Sequence, residues 1–135
     1  MKKLKVFSDG CSKGNPGQAG IGYLIFDEHG HLVFKASKPI GIKTNNEAEY
    51  IAAIEALKEV SKLGAVEVEL FSDSELLVKQ LNGEYTVRSN RLKPLYRKLI
   101  KLSQSFRKFE VKHVKREANQ EADRLAKLTI SRSRA

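Results

Sequence analysis

Cysteine is almost absent from this chain of 135 residues, with Cys11 standing alone. A single cysteine excludes an internal disulfide and any cysteine-built zinc site, and fits a reducing, cytoplasmic setting. Long hydrophobic runs are missing too. The longest apolar stretches, around Tyr23–Phe26 and Ile51–Ile54, fall far short of the roughly 20 residues that cross a bilayer, so no membrane role is expected. The N-terminal MKKLKVFSDG has no apolar h-region or cleavage site and reads as a strand. Acids are scarce in one part only. Residues 86–135 hold 15 Lys/Arg against 4 Asp/Glu, whereas residues 1–85 hold 10 against 12. The overall charge of +9 is therefore concentrated in the last part of the chain. Such a segment beside a slightly acidic one suggests a polyanionic partner, nucleic acid foremost, with solubility alone as the plain alternative.

What is present fits one ordinary globular domain, with 41% hydrophobic and 30% charged residues. The domain is expected to span residues 1–130, with a frayed tail at 131–135. Residues 4–9 alternate as a strand would, Leu4 and Val6 opposing Lys5, Phe7 and Asp9. GCSKGNPGQAG, with its four glycines and a proline, predicts a loop. Residues 21–40 predict a hairpin turning at Asp27–Gly30. Tyr50, Ala53, Ile54, Leu57 and Val60 recur at helical spacing within 45–63, and Gly64 can close that helix. VEVELFSD predicts a strand ending at Asp73, and SELLVKQLNG a short helix. A longer helix over 91–105 carries leucines on one side and Arg91, Arg97, Lys98 and Lys101 on the other. KFEVKHV predicts a last strand, and Asn119 can cap a final helix through about Leu128. An antiparallel start joined to crossover units implies an α/β fold, a mixed sheet flanked by helices.

Four acids lie near strand ends or helix starts: Asp9, Glu49, Asp73 and Asp123. Asp9 and Asp73 end strands that could lie side by side, and sites in open α/β sheets lie beyond strand carboxyl ends. Converging carboxylates repel by roughly 4 kcal/mol per pair at 4 Å and an effective dielectric of 20. They would need a cation, and carboxylate oxygens suit magnesium or manganese. Each acid also has a plain reading. Asp9-Gly10 can be a turn, Asp73 can cap the helix that follows, and Asp123 can pair with Lys127.

The ordered set SDG…GNPGQAG, TNNEAEYIAA, FSDSELLVKQLNGEY and HVKREANQEADRLA resembles a type 1 ribonuclease H, from Lys5 to about Leu128. The forms LNGEYTVRSNRLKPLYRKL and HVKREANQEAD are most similar to the compact prokaryotic branch, which lacks an extra helix and its lysine-rich protrusion. The resemblance implies a five-stranded mixed sheet and cleavage of the RNA strand of RNA–DNA hybrids, leaving a 5′-phosphate and a 3′-hydroxyl. It implies two magnesium ions, manganese being a substitute, held by Asp9, Glu49, Asp73 and Asp123. Gly10, Asn15, Asn45 and Asn46 would meet the hybrid near the cut. Arg88, Ser89 and Asn90 would line a phosphate pocket, and Asn119 would lie near the site, with capping as its plain alternative. The family default is a monomer, and double-stranded RNA stays open as a second substrate. Rival readings are a related nuclease acting on DNA and a non-catalytic nucleic-acid-binding module.

Within NNEAE, local physics separates the two glutamates. Thr44-Asn45-Asn46-Glu47 is a Thr-x-x-Glu capping box, which gives Glu47 a structural task and leaves Glu49 free. A histidine that many relatives carry after the last strand is replaced near Arg116. Arginine stays protonated, so Arg116 is expected to be auxiliary, holding phosphate or aiding product release. His113 is expected on the strand, without a general-acid role. Cys11 reads as a semi-buried small residue, and His29 and His31 as solvated turn residues.

Overall fold

The computed structural model describes residues 2–132, with side chains through Ile130. Five strands form one sheet: β1 (Lys3–Gly14), β2 (Gly17–Asp27), β3 (Leu32–Lys43), β4 (Glu67–Ser72) and β5 (Lys108–His113). Their spatial order is β3-β2-β1-β4-β5. β1, β2 and β3 pair antiparallel, and β4 lies parallel to both β1 and β5. The helices are α1 (Asn45–Lys62), α2 (Glu75–Leu81), α3 (Lys93–Ser103) and α4 (Gln120–Arg132).

Alternation along the strands assigns the two faces. Leu4, Val6, Ile21, Tyr23 and Ile25 are buried with Tyr50, Ile54, Leu57 and Val60 of α1 in the main core, which Leu77 of α2, Leu92 just before α3 and Leu99 of α3 extend. The intervening residues Phe7, Leu24 and Phe26 meet Ala122 and Leu125 of α4 on the opposite face. A sheet covered on both faces satisfies its central backbone and leaves β3 and β5 as edges.

The expected loop at GCSKGNPGQAG is instead two strands. β1 runs on to Gly14 and β2 starts at Gly17, so only Asn15-Pro16 turn the chain. Most of these glycines serve close packing. A Cβ at Gly10 would sit 2.2 Å from the backbone of Ala48, and one at Gly20 would sit 2.2 Å from the Ala126 carbonyl oxygen. Only Gly14 needs its conformational freedom, with φ of 96° at the turn. The final helix also outruns the expected end near Leu128. Ala122, Ala126 and Ile130 are all buried at four-residue spacing, which carries the apolar stripe past it. The predicted tail falls largely on residues 133–135, outside the described residues.

Candidate active site

The site forms where the sheet forks. The parallel pairing of β1 with β4 ends at Phe7 and Phe71, after which β1 continues alone against β2. Asp9 lies two residues beyond that last pair, and Asp73 directly follows β4. The cap of α2 is Ser74, whose hydroxyl accepts the Leu77 N–H, so Asp73 is not engaged as a cap. Its carboxylate is left to face the fork.

Glu49 arrives from the start of α1, buried to 7% exposure. Thr44 caps this helix and the reciprocal bond from the Thr44 N–H to Glu47 completes the predicted box. With Glu47 engaged there, Glu49 turns to the sheet, where its Oε1 accepts the Gly10 N–H at 2.9 Å. The bare Cα of Gly10 lets α1 approach this closely. One oxygen each from Asp9, Glu49 and Asp73 lies within 4.8 Å of the others.

Asp123 joins from the other face. It lies in the first turn of α4, close enough to Asp9 to push that carboxyl up, while its Oδ2 is 3.0 Å from Lys127 Nζ. The expected ion pair is thus present, on an acid that also touches the cluster. Asn119 does not cap α4 through its side chain. It ends a 3-10 turn over Arg116–Asn119, and its Nδ2 donates to the Ser8 carbonyl at 2.9 Å. That bond ties the approach to α4 directly to the strand bearing Asp9. Its Oδ1 is buried without a partner among the described residues.

The cluster is electrostatically strained. Burial pushes Asp9 up to about 10, with Glu49, Asp123 and Asp73 adding to the rise. Burial likewise pushes Glu49 up to about 8, against the opposing Gly10 N–H and with Asp73 adding to it. Buried acids that favour their protonated forms ionise together only when a cation compensates them. An all-carboxylate set of hard oxygens suits a divalent ion of the magnesium or manganese type. The residues present therefore fit a metal centre.

The remaining candidates form a rim. Asn15 at the hairpin turn accepts the Asn45 N–H at 2.9 Å, and Asn45 accepts the Ser12 N–H at 3.1 Å. These two amides lock the β1–β2 tip to the start of α1, and both are exposed. Asn46 is exposed, and its amide has no partner among the described residues. Arg88 and Asn90 are exposed in the segment before α3, where Ser89 accepts the Leu92 and Lys93 N–H groups. Gly10 directs its N–H to Glu49, so what it offers a substrate is room.

Arg116 is exposed at the start of the 3-10 turn, close enough to Lys127 to influence it. His113 ends β5 opposite Ser72, as expected, but is exposed. Cys11 is half-buried, its thiol raised to about 11 by burial and by Asp9. His29 and His31 flank the β2–β3 turn, whose Asp27 carboxylate accepts both their N–H groups. Sequence reasoning missed the Asn119–Ser8 tie and an ion pair of Glu47 with Arg91 at 3.6 Å. Neither has a local signal, because each joins distant parts of the chain.

A family model described as reverse transcriptase-like matches residues 7–129. A ribonuclease H of Acetivibrio thermocellus is 36% identical over 142 aligned residues, covering 93% of each chain. A bifunctional protein of Mycobacterium tuberculosis is 38% identical over 92% of this chain, which spans only 34% of that relative's length. Among solved structures, LC11-RNase H1, isolated from compost by a metagenomic approach and solved in complex with an RNA/DNA hybrid, matches with a TM-score of 0.92 at 36% identity. The match covers 98% of this chain and 99% of that one. The same five-stranded sheet, the same flanking helices and this level of identity over nearly the whole length lead to one assignment: the chain belongs to the type 1 ribonuclease H family.

Proposed function

We propose that the protein is an endoribonuclease that hydrolyses the RNA strand of RNA–DNA hybrids, leaving 5′-phosphate and 3′-hydroxyl ends, with magnesium as its metal and manganese as a substitute. The observation that carries this reading is the convergence of Asp9, Glu49 and Asp73 within 4.8 Å at the fork, with Asp123 near enough to push the Asp9 carboxyl up. Two divalent ions bound there would supply an activated water and neutralise charge on the leaving oxygen.

The chain's own residues do the rest. Asp9, Glu49, Asp73 and Asp123 would together hold these ions. Gly10 and Asn119 fix these acids from behind. One holds Glu49 by its N–H, and the other anchors the start of α4 to β1. Asn15, Asn45 and Asn46 stand at the rim where the RNA strand would pass. The oxygens of Asn15 and Asn45 already accept internal N–H groups, which leaves their amide N–H groups to donate to minor-groove acceptors and 2′-hydroxyls. Arg88 and Asn90 would hold a phosphate of the DNA strand, and Arg116 would steady the departing product.

The test is mapping of cuts on end-labelled hybrid, double-stranded RNA and duplex DNA with magnesium or manganese, with Asp9→Asn as control. Cutting of the RNA strand of the hybrid, lost in the control, is the expected result. Cutting of duplex DNA instead favours a DNA-directed nuclease. No cutting of any substrate with either metal ends the enzyme reading.

A further inference from the structure

Glu47 does more than close a helix cap. The oxygen that accepts the Thr44 N–H at 2.9 Å also faces Arg91 Nη1 at 3.6 Å. Arg91 follows directly on Arg88-Ser89-Asn90. Glu47 follows directly on Asn45-Asn46, of which Asn45 is locked to the hairpin tip. The ion pair therefore spans the gap between the two parts of the rim.

The segment carrying Arg88 and Asn90 is anchored by packing, through Val87 and the buried Leu92 against the main core, but has few polar ties. Residues 85–88 have no regular secondary structure, Val87 is only partly buried, and Ser89 ties the segment forward to α3. Among the described residues, no other hydrogen bond or ion pair joins residues 86–92 to α1 or to the β1–β2 hairpin. Glu47 is well placed as the fixed end of such a link. Its side chain is only 14% exposed, and its carboxylate is held in place by the Thr44 N–H.

We propose that the Glu47–Arg91 pair is a strut that sets the distance between the amides meeting the RNA strand and the basic segment meeting the DNA strand. Arg91 is thus a positioning residue for hybrid binding. This rests on the hybrid-nuclease reading above. The plainer alternative is that Arg91 touches a phosphate itself, and the partner residue separates the two. Glu47→Gln keeps the oxygen that accepts the Thr44 N–H, because glutamine serves a capping box as well, but it loses the charge that holds Arg91. Removing a negative charge would by simple electrostatics strengthen binding to a polyanion. A strut predicts the opposite sign.

The experiment compares Glu47→Gln, Arg91→Ala and Arg91→Lys by steady-state cleavage of a hybrid at saturating magnesium, with salt dependence and melting temperature recorded. Glu47→Gln and Arg91→Ala should each raise KM about three- to fivefold, the scale of a partly exposed ion pair. Their kcat, melting temperature and magnesium requirement should stay near wild type, with the salt slope unchanged, and Arg91→Lys should recover most of the loss. The proposal is overturned if Glu47→Gln binds as well as wild type or better. The same holds if Arg91→Ala lowers the salt slope by about one, the mark of a lost phosphate contact. It is equally overturned if none of the three changes KM. A wild-type protein that cuts no hybrid with magnesium or manganese removes the underlying reading and the strut with it.

Discussion

The acids under the fork and the amides at the rim lie within a few residues of one another in sequence, yet different forces hold them. Asp9 and Glu49 are buried on rigid elements, against backbone that cannot retreat. Asn46, Arg88 and Asn90 are exposed and make no side-chain hydrogen bond among the described residues. The deep group is paid for in stability, because buried like charges oppose folding until a cation arrives. The rim costs the fold almost nothing and can act only through what binds it. Stability and activity should thus respond in opposite senses in one region and separately in the other.

The sharpest break comes at the cluster. Asp9→Asn should lower cleavage by at least about a thousandfold while raising the melting temperature of the metal-free protein, since it removes a buried acid that folding must force into its protonated form. Glu49→Gln should behave likewise, because glutamine can still accept the Gly10 N–H. Loss of activity accompanied by a lower melting temperature would contradict the strained-cluster account.

Gly10→Ala tests the close approach behind the acids. Its Cβ would meet the Ala48 backbone at 2.2 Å, so α1 must shift, at a cost of about 1–3 kcal/mol and with loss of activity as Glu49 moves. Chemical denaturation and a cleavage assay on the folded fraction check both halves.

A smaller effect should appear with pH. The unfolded chain releases the protons of Asp9 and Glu49 near pH ~4, whereas the folded, metal-free protein holds them up to about 8 for Glu49 and about 10 for Asp9. The folded state binds more protons across that window, so stability contributed by these groups is lost as pH rises. Melting curves between pH ~5.5 and ~8.5 should fall for the metal-free wild type and flatten for Asp9→Asn, and the rise produced by magnesium should grow with pH. A wild-type profile that stays level in that range would count against the burial of these charges.

The mildest change belongs to the rim. Asn46→Ala should leave the melting temperature and kcat in place and raise KM for the hybrid about fivefold, as expected for one hydrogen bond of about 1 kcal/mol. An equal loss in kcat would move Asn46 from the rim into the chemistry.

Much of this organisation is legible in the chain, and the division follows the range of the forces involved. The α1 helix, its Thr44–Glu47 box and the turn at Asp27–Gly30 are local, so spacing and turn chemistry predict them. The sequence pattern also suggests that the strands leading to Asp9 and Asp73 could lie side by side, and β1 and β4 do pair, in parallel. The glycine-rich stretch was read as a loop because glycine commonly marks turns. Gly10 and Gly20 instead make room for α1 and α4, elements encoded far away. Asn119 looked like a cap, yet it bonds Ser8 across 111 residues, and no local pattern encodes that contact. That Asp9, Glu49, Asp73 and Asp123 act together was legible only through family resemblance, since spacing carries no information about convergence.

The dependence of the site on α4 has a consequence for how the molecule comes into being. Asp9 lies on the first strand of the sheet, whereas Asn119 and Asp123 lie 110 and 114 residues further along the chain. A chain synthesised only as far as Asp73 can hold three of the acids, but the fourth, and the amide that seats it against β1, exist only once α4 has been made. Domains fold as units during synthesis. The four-acid cluster is accordingly incomplete in a nascent chain until α4 docks, and a prematurely terminated product lacking α4 should never assemble it.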